Sequence, residues 1–168
     1  PWRIPPELTK KGITNDPYKI WISEIMLQQT GVKTVHNYYI NFIKKWPKIQ
    51  NLNEACENDI LKEWSGLGYY RRALNLKKCA EIICEKYNGK FPDSEKELLN
   101  LPGIGSYTAA AIISIAFDKP AIVIDGNIQR VTSRLYEIKE DIKKSKTKIH
   151  GNLEKIFSKK RPGDFFQA

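Results

Sequence analysis

One carboxylate stands inside an apolar run, Trp21-Ile22-Ser23-Glu24-Ile25-Met26-Leu27, and a second, Asp125, follows another, Ala121–Ile124. Helical spacing sets Glu24 beside Trp21 and Gln28. A carboxyl held among such neighbours is favoured in its neutral form and suited to donate a proton near neutral pH. Asp125 precedes Gly126-Asn127-Ile128, where it can cap a helix through the Asn127 and Ile128 amides, and a carboxylate held that way stays charged and can oppose a developing cation. Two carboxylates in such different settings are the acid and electrostatic partner that glycosidic bond cleavage through an oxocarbenium-like state requires. Each also has a plainer reading: Glu24 as the solvent face of an amphipathic helix, Asp125 as a cap and nothing more.

The run Leu101-Pro102-Gly103-Ile104-Gly105-Ser106-Tyr107-Thr108-Ala109-Ala110 is more specific. A Gly-x-Gly turn between two short helices converges backbone N–H groups at the start of the second, which makes an anion site without side-chain charge. Gly103 and Gly105 let a phosphate come close to the backbone, and the alanines let the helices pack tightly. This pattern resembles the helix-hairpin-helix element of DNA-binding proteins; a tight interhelical turn is the alternative. Gln28-Gln29-Thr30 closes the Glu24 run with amide donors and acceptors suited to base edges or backbone. In Gly66-Leu67-Gly68-Tyr69-Tyr70-Arg71-Arg72, Leu67 or Tyr69 could wedge between bases and Arg71 or Arg72 could meet phosphates, unless the segment is simply a glycine turn with a buried tyrosine.

Helices must position these groups. Apolar stripes at helical spacing run through Tyr18–Ile25, entered at Asp16-Pro17; through Val32–Trp46, ended by Pro47; and through a shorter helix over Leu52–Trp64. A long stripe over Ala73–Tyr87 closes at Asn88-Gly89. A short helix capped by Asp93-Ser94 leads to the glycine turn, followed by a small-residue helix over Ser106–Phe117 and another from Gly126 to about Tyr136. Ala121–Ile124 has no strand to pair with and reads as a buried connection. The fold class is all-α.

Composition bounds the function. With 168 residues, 28 Lys plus Arg against 19 Asp plus Glu and 41% apolar residues, the chain can bury a core and carries a formal charge of +9. Disorder is excluded by that apolar content. The longest strongly apolar stretch, Ala109–Phe117, is far shorter than the ~20 residues of a membrane span. Cys56, Cys79 and Cys84 form no even disulfide set, and their spacing matches no zinc or iron–sulfur pattern. His36 and His150 lack ligand company, and the lysines from Lys143 to Lys148 and at Lys159-Lys160-Arg161 read as solvated faces.

Pro1-Trp2-Arg3, Ser23-Glu24 through Gln29-Thr30, Gly66–Arg72, Gly89-Lys90-Phe91-Pro92, Leu101–Ala110 and Ile124–Val131 resemble, in order and spacing, the adenine DNA glycosylases of the MutY type within the helix-hairpin-helix glycosylase superfamily. The resemblance implies a six-helix barrel over 16–136 with its hairpin at about 94–117. Residues 1–15 would be an entry segment, and 137–168 the start of a return, both belonging to a cluster domain that continues beyond this chain. It implies removal of adenine paired with 8-oxoguanine or guanine in double-stranded DNA, by an intracellular monomer working where the DNA is. Glu24 would protonate adenine N7, Asp125 would stabilise the sugar cation, and Tyr107 and Asn127 would support that geometry. Trp2, Arg3 and Leu27 would line the adenine pocket. Gln28, Gln29, Thr30, Leu67, Tyr69, Gly103 and Gly105 would meet DNA, with a monovalent cation at the hairpin. The family's [4Fe–4S] cluster is expected on cysteines that this chain does not contain. Endonuclease III-type enzymes are the nearest alternative, but they carry a Schiff-base lysine where this chain has Tyr107. A non-catalytic hairpin module is the other.

Overall fold

The computed structural model describes residues 2–5, 7, 14–122, 124, 126–140, 145–157 and 162–167. Helix α1 (Pro17–Leu27) is the centre of the molecule. Eight of its eleven residues are buried, Ser23 and Glu24 among them, because helices pack around it on nearly every side. Its entry is as the sequence reads: the Asp16 side chain accepts from the Tyr18 amide at 2.9 Å, with Pro17 in the first turn. Around it lie α2 (Val32–Lys45), α3 (Ile49–Glu54), α4 (Glu57–Trp64), α5 (Arg71–Tyr87), α6 (Glu95–Leu99) and α7 (Ser106–Ala111). Helix α7 runs on into a π-helical turn, Ile112–Ala116. After it come α8 (Gly126–Leu135), α9 (Lys146–Ile156) and α10 (Pro162–Gln167). Helix α1 packs against α2, α5, α7 and the π turn. Among the described residues there is no strand, and no helix is long and apolar enough to cross a membrane.

Most helix ends match their sequence signals. Asn88 (φ 53°) and Gly89 (φ 74°) close α5 in the left-handed region, with the Gly89 amide on the Ile83 carbonyl at 3.0 Å. Ser94, rather than Asp93, caps α6. Two expectations are corrected. The single helix expected over Leu52–Trp64 is two, since Ala55 and Cys56 are extended and let both α3 and α4 lay their apolar faces on α5. The helix expected over Ser106–Phe117 widens into the π turn, whose residues are all buried. There the Ile115 carbonyl accepts from Asn15 Nδ2 at 3.1 Å, and the chain leaves through a Lys119 amide bond to the Ile113 carbonyl at 3.1 Å. The 121–124 connection is half-buried where it is described. Cys79 lies wholly in the core and Cys84 half-buried.

Two tyrosines near α1 are held in their neutral form. Tyr18 donates to the Trp46 carbonyl at 2.8 Å, and Tyr39 packs in the core beneath Trp2. Burial, then the Asp16 carboxylate, raises both phenols; Tyr39 reaches about 12, with Arg3 opposing. A raised phenol stabilises the fold fully below the ordinary value of about 10, and that contribution is lost as pH climbs through the folded value. An alkaline titration followed by tyrosinate absorbance and far-UV circular dichroism should therefore show two of the eight tyrosines ionising only as helicity collapses. Ionisation of all eight near the ordinary value with helicity intact would contradict this placement.

Candidate nucleic-acid interface

A groove of about 760 Å³ opens where the end of α1, the start of α5 and the start of α7 converge. Gln28 and Gln29 form one wall, Tyr69 to Arg72 with Asn75 the second, and Gly105 to Thr108 the third. The structure thus brings Gln28, Gln29, Tyr69, Gly105 and Tyr107 together from segments up to about 80 positions apart. Gln28 Nε2 reaches Thr108 Oγ1 at 3.4 Å, linking the first wall to the third. Tyr69 is 63% exposed and Tyr107 40%, both on the groove. Gln29 (φ 58°) and Tyr69 (φ 49°) hold left-handed backbones that non-glycine residues rarely adopt, at a cost of about 1–3 kcal/mol each. Asn88, Asp118 and Glu137 share that conformation outside the groove.

Glu24 lies one helical turn before Gln28 and is 5% exposed. Its neighbours are not only apolar, as the sequence led one to expect: Arg3 Nη2 donates to Glu24 Oε1, and Arg3 Nη1 donates to Ser23 Oγ at 3.1 Å. That partner comes from 21 positions away, beyond what local spacing reveals. Trp2 packs edge-on against Tyr39 with centroids 5.5 Å apart, beside the exposed His36, so Trp2 and Arg3 cover the Glu24 face of α1. Leu27 and Thr30 are half-buried, Leu27 against the core. Asn127 is exposed at the start of α8 and accepts from Arg130 Nη2 at 2.8 Å; it does not line the groove. Asp125 lies outside the described residues, as do 143, 144 and 159–161 of the basic clusters, whereas Lys148 pairs with Glu140 at 3.2 Å.

Two candidate DNA contacts sit elsewhere than expected. Leu67 is 5% exposed and faces the core, whereas Tyr69 is exposed. Arg72 is 9% exposed, and its guanidinium is spent inside the protein. Nη1 donates to the carbonyls of Ile25, Met26 and Gln28 at 2.9, 3.0 and 2.6 Å. Nη2 donates to Thr30 Oγ1, Leu67 O and Gly68 O at 3.2, 3.1 and 3.2 Å. Burial lowers its pKa, with Tyr69 opposing. Arg71, on the same wall of the groove, is exposed and remains a phosphate candidate. The signal for burial was in the sequence, since Arg72 shares the α5 stripe of Leu76, Cys79, Ala80 and Ile83.

The hairpin joins α6 to α7 through Leu101–Gly105, tightened by Ile104 N to Leu101 O at 3.2 Å. Gly103 (φ 79°) lies against α5, where an added Cβ would come within 2.9 Å of Asn75 Cβ, while a Cβ on Gly105 would meet nothing within 4 Å. The residues present do not fit an iron–sulfur cluster. Cys56 is exposed, Cys79 is in the core with its thiol pushed up by burial, Cys84 is half-buried on α5, and no group of three or more His, Cys, Asp or Glu could hold a metal among the described residues.

A hairpin-bearing, all-helical core beside a groove of strained and aromatic residues defines a helix-hairpin-helix protein. The chain belongs to the HhH-GPD superfamily of base excision DNA repair proteins, whose family model matches residues 22–159. It is 47% identical to an adenine DNA glycosylase of Buchnera aphidicola subsp. Baizongia pistaciae over 93% of this chain and 44% of that protein. It is 43% identical to the mouse adenine DNA glycosylase over 100% of this chain and 33% of that one. The chain therefore spans less than half the length of these relatives. Among solved structures, a trapped endonuclease III–DNA covalent intermediate matches with a TM-score of 0.75 and 25% identity, over 90% of this chain and 70% of that one. A thermostable thymine-DNA glycosylase matches with a TM-score of 0.67 and 35% identity, over 70% and 55%.

Gly103→Ala should lower stability by about 1–3 kcal/mol through its left-handed backbone and the clash with Asn75. Gly105→Ala should be near neutral in the same urea denaturation series. Equal effects would mean that the turn is not anchored to α5.

Proposed function

We propose that this chain is the catalytic core of an adenine DNA glycosylase that removes adenine opposite 8-oxoguanine or guanine in duplex DNA, inside the cell. The observation that carries the reading is Tyr107. The groove has a tyrosine, not an amine nucleophile, at the start of the hairpin's second helix, which is where the sequence resemblance gives endonuclease III-type enzymes their Schiff-base lysine. Relatives named adenine DNA glycosylase at 40–47% identity support the same substrate class.

On this reading the duplex lies across the groove, with a backbone phosphate at the 103–105 turn beside a monovalent cation. Gln29 and Tyr69 fill the gap that adenine leaves and offset part of the unstacking cost of a few kcal/mol. The flipped base enters between Trp2, Arg3 and Leu27 and displaces the Arg3 contact from Glu24. Glu24 then protonates N7 and turns adenine into a leaving group. Asp125 stabilises the oxocarbenium-like sugar, with Tyr107 organising that side, and a water then attacks the sugar carbon to complete the hydrolysis.

The test is single-turnover adenine release by the full chain, with adenine opposite 8-oxoguanine, guanine and cytosine. Glu24→Gln should slow release at least about 100-fold with duplex affinity nearly unchanged. Normal release by that variant would remove Glu24 as the acid. A borohydride-trapped covalent adduct on the unmodified chain would favour the lyase reading instead.

A further inference from the structure

Arg72 donates to six oxygens, drawn from the last turn of α1, the 28–30 exit and the 67–68 loop. Its guanidinium also lies over the Trp64 ring at 5.3 Å and the Tyr69 ring at 5.6 Å from their centroids. Both left-handed residues of the groove are adjacent to atoms it holds. Gln29 sits between the Gln28 carbonyl and the Thr30 hydroxyl, and Tyr69 follows the Gly68 carbonyl and stacks on the guanidinium itself. Beside it, a cavity of about 20 Å³ is bordered by Arg72 itself, Trp21, Gln28, Asn75, Pro102 and Gly103, among others. That space is enough for one water. Two of the bordering residues carry buried donors that find no protein acceptor, Trp21 Nε1 and Arg72 Nε. Such a donor pair beside a cavity of that size fits a water that would complete the junction of α1, α5 and the hairpin turn.

We propose that Arg72 is a positioning residue: it sets Gln29 and Tyr69 in their strained conformations at a fixed distance from Glu24, so that the duplex wedge and the acid act in register. It touches neither base nor reacting atoms. Strained φ values persist only where surroundings over-determine them, and here one planar fork supplies the restraint on both. A lysine keeps the charge but cannot reach both the α1 carbonyls and the loop carbonyls while stacking between two rings.

The inference rests on the glycosylase reading, and its test separates the two. Arg72→Lys, Tyr69→Ala and the double variant are prepared in the full chain, together with Thr30→Val, which removes one acceptor at the surface of the network. Circular dichroism and thermal melting establish folding. Duplex affinity, single-turnover adenine release and fluorescence of 2-aminopurine next to the target adenine are then measured. Arg72→Lys should fold and bind duplex at near-native affinity, release adenine about 100-fold more slowly and lose the fluorescence rise that reports duplex distortion. Thr30→Val should show a smaller loss of both signals. Adding Arg72→Lys to Tyr69→Ala should cost clearly less than the product of the two single losses, because part of the Arg72 effect runs through Tyr69. Multiplicative losses in the double variant, or native release by Arg72→Lys, would overturn the proposal. So would failure of Arg72→Lys to fold alongside native behaviour of Thr30→Val, since Arg72 would then support the whole fold and not the groove. Absence of adenine release by the unsubstituted chain, with the fluorescence rise present and Arg72-dependent, would count against the glycosylase reading and leave the positioning role standing.

Discussion

A helix surrounded by protein has nowhere to send its last carbonyl groups, and α1 is surrounded. The first amides of such a helix can be met by one small residue, and Asp16 does so. The far end needs several donors in a dry place, and only a guanidinium offers five in a fixed plane. Arg72 therefore answers a demand created by burying α1 so completely. Much of the rest follows from that answer. The donor must come from a neighbouring helix at the level of the α1 terminus, so α5 has to begin there. The loop feeding α5 must then curl around the same cation, and the groove is the space left between that loop, the α1 exit and the hairpin.

Local signals made a good part of this legible in the sequence. The apolar stripes of α1, α2 and α5, the Asp16 cap, the left-handed Asn88-Gly89 ending and the Gly-x-Gly hairpin each rest on interactions among residues a few positions apart. Features that depend on distant partners were not legible. Glu24 reads as a carboxyl among hydrophobes because nothing within a helical turn reveals Arg3. The break at Ala55–Cys56 and the widening at Ile112–Ala116 are settled by packing against α5 and by Asn15, and helical periodicity is blind to both. Arg72 lies between these cases. Its phase on α5 marked it as buried, while its chemistry and its position beside Tyr69-Tyr70 pointed outward to phosphate.

The candidate site divides along the same line. Residues grouped by a shared motif arrive together: Gln28 and Gln29 face Tyr69 and Tyr107 across one groove. Leu67 and Tyr69, two positions apart in one motif, part company because Gly68 (φ 72°) and Tyr69 (φ 49°) both turn through the left-handed region, so the chain bends sharply between a buried side chain and an exposed one. Motif membership thus located the groove, while burial decided which members could reach a partner. The family relationship accounts for the grouping, and the physical chemistry of each position accounts for the sorting.

The π turn carries a consequence of a different kind. Asn15 reaches it from 100 positions away, and Gly163 lies so close that a Cβ there would fall 2.6 Å from the Ser114 carbonyl oxygen. Helix α10 therefore packs on a segment some fifty positions before it, next to a strut from a residue 100 positions before that segment. Closing loops of that length is slow relative to forming any one of the helices. On a ribosome the hairpin and α5 would emerge with their local contacts ready, yet the π turn would wait for residues made some fifty positions later. The order of synthesis and the order of assembly then differ, and α10 locks from one side a wide turn that Asn15 has already braced from the other.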